Sequence, residues 1–362
     1  SSAASDVYKR QVEQYVHLSQ HLEKDLLANH YLENLKALAI LACYFDDRKT
    51  LELVLPMLKA QVDEQVLDDG MHFEQSPMYQ KIVLEDLMRA AIVLRDSGFG
   101  EHAEAFKLRQ MCDCLYSMER GINRTPLFND CGDNVAKSRD ALLLCARERF
   151  GVVPEFHGVL KNSGYCILER QTKAGFVKVI FDAGKPGPAY AMGHVHCDAL
   201  SFECFVDGEP WIVNCGTYAY QDAKRLEFKK TQAHSGVMID GVEQHECWAP
   251  FRVARYSTCK IEFSDGISAR GSMKLRGRNP RIVRDICLAD NGVRIIDKAF
   301  GGKRLEGSFI FAFGLPNIAE QSIDVNYSPE FGLLGSARKV IVDASDGLVI
   351  PYPMFYERAE HR

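Results

Sequence analysis

Gly193-His194-Val195-His196-Cys197-Asp198-Ala199-Leu200-Ser201-Phe202-Glu203 sets three ionisable side chains on alternate residues. In a β-strand successive side chains point to opposite faces, so the spacing predicts that His194, His196 and Asp198 share one face. Leu200, Phe202 and the residues beyond continue the buried side. Two imidazoles and a carboxylate on one strand face point to proton transfer, to a metal, or to both.

Working outward, the same texture fills the C-terminal half. Tyr165–Leu168, Gly175–Phe181, Glu209–Val213, Lys260–Phe263, Arg281–Arg284, Val293–Ile296 and Lys339–Val342 read as short strands, with no helix-length segments between them. That pattern predicts an antiparallel β-sandwich rather than an α/β fold. Upstream the period changes. Leu22, Leu26, Leu27, Leu32, Leu35, Leu38, Ile40 and Leu41 recur at helical spacing. Leu51–Val66, the stretch after Pro77, Phe106–Met118 and Ala141–Phe150 do the same. Consecutive helical hairpins build bundles or α/α toroids. The change falls near Val152-Val153-Pro154, which divides the chain into a helical domain over 1–152 and a β domain over 153–362.

Composition bounds the partners. With 362 residues, 46% hydrophobic and 26% charged, the chain has material for two ordinary cores. A net charge of −5 argues against a general nucleic-acid binder, so any anionic partner needs a local basic patch. No apolar run of about 18 residues predicts a membrane span. The 12 cysteines form no zinc-ribbon or disulfide spacing and read as reduced, buried small hydrophobes. Ser1–Ser5 leads into a helical pattern without a secretory apolar core, so the chain is expected to start inside a longer protein, its compartment open.

Four further constellations carry chemistry. In Asn29-His30-Tyr31-Leu32-Glu33-Asn34, His30 would face Glu33 and Asn34 on a helix, and an Asn-His pair at a helix end can hydrogen-bond a carboxylate. In His72-Phe73-Glu74-Gln75-Ser76-Pro77-Met78-Tyr79, Ser76 and Pro77 predict a helix start. Tyr79 would lie in its first turn, where the dipole favours a phenolate able to move a proton. The third is Asn214-Cys215-Gly216-Thr217-Tyr218-Ala219-Tyr220, and the fourth is Ala233-His234-Ser235. His196 and His234 can share a metal with an oxygen from Asn214 or Asp198. Plain packing is the competing reading of each, and a metal-dependent hydrolase using His194, His196, Asp198 and His234 is another.

Taken in order, these motifs, with Trp248-Ala249-Pro250-Phe251-Arg252-Val253, resemble the heparinase II/III family of polysaccharide lyases over roughly residues 20 to 345. The resemblance implies an N-terminal α/α toroid, here with few helices before Asn29, and a C-terminal antiparallel β-sandwich with the site between them. It implies a bacterial enzyme, periplasmic or cytoplasmic, cleaving a uronic-acid-containing polysaccharide such as a glycosaminoglycan or alginate by β-elimination. Asn29 and His30 match the positions that neutralise the uronate carboxylate, Tyr79 the catalytic acid, and His194 the base of an anti elimination; in a syn elimination Tyr79 would serve as both base and acid, with His194 stabilising the tyrosinate. His72, Glu74, Tyr218, Tyr220, Arg225 and Arg252 are expected to contact substrate. His196 and His234 match metal ligands, with Asn214 where the family has aspartate. One structural divalent metal, zinc before calcium, and no organic cofactor follow. Asn214 and the short helical part also suit the alternative: a carbohydrate-binding protein that keeps the fold without turnover.

Overall fold

The computed structural model describes residues 2–275, 280–302, 304–316, 322–343 and 347–353. Helices come first: α1 (Ser2–Gln20), α2 (Ala28–Tyr44), α3 (Arg48–Gln65), α4 (Pro77–Asp96), a 3-10 segment (Gly100–Phe106), α5 (Leu108–Glu119) and α6 (Arg139–Phe150). Their apolar stripes meet in one cluster that includes Leu35, Leu58, Leu87, Met111 and Leu142. Side chains stop the helices from fraying at their starts. Asp47, Ser76 and Ser138 each accept from the backbone N–H three residues on, at 3.1, 3.3 and 3.3 Å.

One helical expectation shifts. Leu22, Leu26 and Leu27 lie before α2, in a turn where Leu27 and Ala28 have φ of 59° and 50°. The Asn29-His30 pair therefore sits at a helix tip. His30 does not pair with Glu33. The turn brings Glu23 back instead, 3.6 Å from His30 and hydrogen-bonded to the Asn34 side chain at 2.9 Å.

Among the described residues, all the named strands pair antiparallel. The larger sheet runs β1 (Val159–Leu160), β2 (Tyr165–Thr172), β3 (Gly175–Asp182), β4 (Phe202–Val206), β5 (Glu209–Val213), β13 (Leu305–Phe311), β15 (Gly335–Asp343), β14 (Ile323–Tyr327), with β6 (Val237–Ile239) paired to β13. The second has β16 (Leu348–Pro351), β12 (Gly292–Phe300), β11 (Arg281–Leu288), β10 (Ser268–Lys274) and β9 (Thr258–Ser264). A small hairpin pairs β7 (Glu246–Ala249) with β8 (Arg252–Ala254), and a short helix, α7 (Arg225–Lys229), precedes His234. Phe181, Phe202, Trp211 and Phe309 of the large sheet share one core with Met273, Ile282 and Ile295 of the other. The sheets come so close at Gly271 that a Cβ there would lie 2.8 Å from Ala183 and Leu200 side-chain atoms.

The helices also bury apolar surface against the large sheet. Met71, Cys114, Met118 and Phe128 pack with Tyr165, Ile167, Ile180 and Phe205. Lys178 of β3 reaches across to the end of α5, donating to the Ser117 and Arg120 carbonyls at 2.7 and 3.0 Å, where a cation complements the helix dipole. The long segment between α5 and α6 threads along this boundary. Leu127 and Cys131 pack with Val213 and Cys215 of the sheet domain and with Met78 of α4. No helix among the described residues is long and apolar enough to cross a membrane. All 12 cysteines are free, seven of them buried.

Candidate active site

The site starts at the tip of α4. Gln75 takes a positive φ of 56°, Ser76 caps, and Pro77 supplies a fixed φ in the first turn. This sends Tyr79 toward the β domain. Its hydroxyl lies 2.9 Å from the Tyr220 hydroxyl, and its ring centroid lies 4.4 Å from that of His194. Burial pushes the Tyr79 hydroxyl pKa up, against the hydrogen bond from Tyr220. The dipole was expected to favour a phenolate. Desolvation wins, and the residue is a phenol.

The His194 stretch is not a strand. Residues 193–201 form an irregular loop, and β4 begins only at Phe202. The loop's backbone finds partners outside any sheet: the Asp130 amide donates to the His194 carbonyl at 3.0 Å, and the Cys197 amide to the Lys229 carbonyl at 2.9 Å. The His196 amide donates to the Asn129 side chain at 3.0 Å. Leu200 has φ of 58°, which a strand does not allow. The alternation survives nonetheless. His194, His196 and Asp198 all turn toward one segment, Asn129-Asp130.

Asp130 is the hub, and no reading of the sequence singled it out. It is fully buried. Its carboxylate accepts from His194 Nδ1 at 2.7 Å, His196 Nε2 at 2.8 Å, Thr217 Oγ1 at 3.3 Å and both terminal nitrogens of Arg225, one at 2.6 Å. Burial alone would raise its pKa. The hydrogen bonds from both histidines and the Arg225 charge outweigh it and hold the carboxyl well below the usual range. For His194 burial pulls the pKa down, and the bond and charge of Asp130, with Glu74 behind, more than reverse it. With Nδ1–H donated to Asp130, Nε2 is the nitrogen left for chemistry. The available signal was length: some 19 residues separate α5 from α6 without regular structure, and long ordered loops are where function concentrates.

Three expected substrate contacts lie elsewhere. Arg225 is buried, and its fork is spent on Asp130 and on the Gly193 carbonyl at 3.2 Å, because a buried carboxylate bonded to two imidazoles needs a fixed cation. His72 is fully buried, with Nε2 3.2 Å from the Gln65 side chain. Glu74 is also buried. Its carboxylate lies 3.8 Å from His72 Nδ1 and has no hydrogen-bond partner on Oε2 among the described residues. Burial lifts the Glu74 pKa to about 7, against the pull of His194, and lowers that of His72 to about 3. Both stand behind His194 rather than at a surface. Of the rest, Tyr220 is in contact with Tyr79, His194 and Phe251, while Tyr218 is half-buried against the sheet cluster. Arg252 is exposed beside Phe251. Asn29 is half-buried at the α2 tip, and the neighbouring Ala28 carbonyl accepts from Gln65, the residue that also holds His72. His30 is 58% exposed and bonds to none of the Tyr79–His194 group among the described residues.

Arg270, Arg281 and Arg284, basic residues of the second sheet, are spent on ion pairs within it. Arg270 pairs with Asp285, Arg281 with Glu262, and buried Arg284 bidentately with Asp297 at 2.8 Å. Arg276 and Arg278 lie outside the described residues.

The expected metal ligands can be tested by their hydrogen bonds. His196 Nε2 faces the Asp130 carboxylate and His234 Nδ1 the Lys230 carbonyl at 2.9 Å, so each carries its proton on that outer nitrogen. Burial lowers both pKa values, that of His196 to about 4, and keeps the rings neutral. Two lone pairs, His196 Nδ1 and His234 Nε2, then face each other at 3.2 Å. Opposed lone pairs repel unless a cation lies between them, and outer N–H groups held by a carboxylate and a carbonyl are the usual support of metal-bound histidines. The two nitrogens fit a divalent metal. Asn214 fits less well: its oxygen accepts from the Ser235 amide at 3.0 Å, and its buried Nδ2 has no partner among the described residues. Among the described residues no group of three or more histidine, cysteine, aspartate or glutamate side chains is arranged to hold a metal.

A helical domain that delivers a tyrosine and a buried aspartate to a histidine on an antiparallel β domain defines a class of chain. Residues 6–149 match the Heparinase II/III N-terminus and residues 156–342 the Heparinase II/III-like C-terminal domain. The chain belongs to the heparinase II/III-like family of polysaccharide lyases. A heparin-sulfate lyase of Pedobacter heparinus is 22% identical over 257 residues, 61% of this chain and 38% of that protein. The crystal structure of heparan sulfate lyase HepC from Pedobacter heparinus superposes with a TM-score of 0.70 at 16% identity, over 96% of this chain and 63% of that one. The heparinase III BT4657 gene product gives 0.73 at 14% identity, over 93% and 59%. The chain thus spans well under two thirds of the curated relative and about three fifths of each structural one.

Proposed function

We propose that this chain carries the catalytic pair of a lyase that cleaves a uronic-acid-containing polysaccharide by β-elimination. The observation that supports it is the meeting of Tyr79, from the helices, with His194, from the β domain, ring to ring at 4.4 Å with Asp130 behind the histidine. In this reading the helices are part of an α/α toroid and the two sheets a β-sandwich, with the polymer running between them. Heparan sulfate, after which those related lyases are named, is one such polymer.

The chemistry follows from the groups. A uronate C5–H is a weak acid because its carboxylate resists further negative charge. Asn29 and His30, at the α2 tip, hydrogen-bond that carboxylate and lower the barrier. His194 Nε2 takes the C5 proton, with Asp130 fixing the tautomer and stabilising the imidazolium. The C5–H electron pair becomes the C4–C5 double bond. The C4–O4 bond breaks with its electrons on O4, which takes the proton of Tyr79. A tyrosine kept protonated by burial suits the acid, and Tyr220 holds its hydroxyl in place. Tyr220, Tyr218 and Arg252 are the proposed sugar contacts. His196 and His234 would hold a divalent metal, which would brace the loop that carries His194.

Incubation with a panel of uronate polymers should produce the ultraviolet absorbance of an unsaturated uronate. Tyr79→Phe should lower its rate by a factor on the order of 10² to 10⁴. Products without that chromophore would sink the reading. A second reading, a carbohydrate binder without turnover, draws on the exposed His30 paired to Glu23 and on Asn214. Binding without product from any polymer would favour it.

A further inference from the structure

Tyr79 and His194 belong to different domains, and their separation is the quantity that an elimination depends on. The helix start that carries Tyr79 and the loop that carries His194 are joined through backbone groups as well as side chains. The Tyr79 amide donates to Ser76 Oγ at 3.3 Å, and the same oxygen donates its proton to the Asp130 carbonyl at 2.6 Å. From Asp130 two bonds go on to His194, backbone N–H to carbonyl at 3.0 Å and carboxylate to Nδ1 at 2.7 Å. Asn129 reinforces the path. Its amide group donates to the Gln75 carbonyl at 3.2 Å and accepts from the His196 amide at 3.0 Å. Ser76 is fully buried, so no water competes for its hydroxyl.

We propose that Ser76 is a positioning residue of the elimination: one hydroxyl caps the helix that carries Tyr79 and ties it to Asp130, which holds His194, and so sets the gap between acid and base. The proposal rests on the lyase reading for its effect on rate, and on the geometry alone for its effect on structure. A cap is a stabilising device by itself. The molecule contains the control: Ser138 caps α6 with the same 3.3 Å contact, but from an exposed position.

Glycine retains most of a cap's worth and lacks the hydroxyl, so it separates the tie from the cap. In Ser76→Gly kcat should fall roughly ten- to hundredfold with KM nearly unchanged, the signature of misplaced reacting groups. Ser76→Thr, which restores the hydroxyl, should recover most of the loss, and Ser138→Gly should keep wild-type kcat. Wild-type kcat in Ser76→Gly, or an equal loss in Ser138→Gly, overturns the proposal. If the wild type turns over no polymer, the lyase reading fails, and the tie is then read from the nuclear Overhauser contact between the Tyr79 and His194 rings. Loss of that contact in Ser76→Gly but not in Ser138→Gly upholds the tie, and its persistence in both refutes it.

Discussion

His194 and His30 are both motif histidines, and the molecule treats them in opposite ways. The loop of His194 is held at nearly every residue by another segment: Asp130 takes its ring and its carbonyl, Asn129 the next histidine's amide, and Lys229 the amide after that. His30 projects from a helix tip and meets Glu23 at 3.6 Å. The first is fixed by burial, so altering its surroundings must cost stability. The second is held by a helix end and stays accessible, so altering it should cost function alone. The largest test of that difference is Asp130→Ala. It would leave buried Arg225 without its carboxylate and should destabilise the protein by about 3–5 kcal/mol in urea unfolding. An unchanged midpoint would mean that the buried network is not what holds the loop.

Glu74, behind the same loop, tests the contrast through pH. Its carboxyl titrates near 7 in the folded protein against an ordinary 4.5, because it is buried. Folding therefore takes up a proton between those values. The stabilisation is complete below pH 4.5 and is lost as pH rises through 7. Relative to Glu74→Gln, the wild type should lose at most roughly 3 kcal/mol across that window. Unfolding measured from pH 4 to 8 checks it. Parallel profiles for the two proteins would show that Glu74 is not desolvated, and that His72, His194 and Asp130 are not its only neighbours of consequence.

The sequence spoke plainly wherever a period could be counted. The helices around Leu35, Leu58 and Leu87 and the strands around Val179, Ile282 and Val340 follow from spacing, because one face of each is buried. Ser76-Pro77 marked the start of α4 correctly, since a cap is a local interaction. The His-x-His-x-Asp run gave the right shared direction and the wrong element. Its alternation is imposed by Asn129-Asp130, some 65 residues away, and not by a sheet ladder. For the same reason Arg225 and Glu74 read as surface groups: burial of a charge is set by a distant partner, and spacing carries no record of it. Asp130 itself had only loop length to mark it.

The histidine pair gives the next effect in size. If opposed lone pairs at 3.2 Å hold a cation, zinc at about a hundred times its Kd should raise unfolding free energy by about 2.7 kcal/mol. His234→Ala should abolish that gain, and Asn214→Asp should lower the Kd by adding an anionic oxygen. A thermal-shift titration with zinc and calcium reads this without any substrate. No shift in either the wild type or Asn214→Asp would remove the metal from the account.

The smallest effect on stability belongs to His30. Its contact with Glu23 is an exposed one, and such pairs contribute little, so His30→Ala should change unfolding free energy by less than about 0.5 kcal/mol. Its effect on turnover should be of a different order. A group that neutralises a substrate carboxylate acts as charge builds at C5, so kcat/KM should drop roughly a hundredfold. That combination, silent in unfolding and loud in turnover, is what separates a residue that waits for substrate from one that holds the site together. Near-wild-type turnover in His30→Ala would remove His30 from the mechanism and leave carboxylate neutralisation to Asn29. A large loss of stability would instead place the α2 tip in the same buried class as the His194 loop, and the contrast between the two histidines would fail.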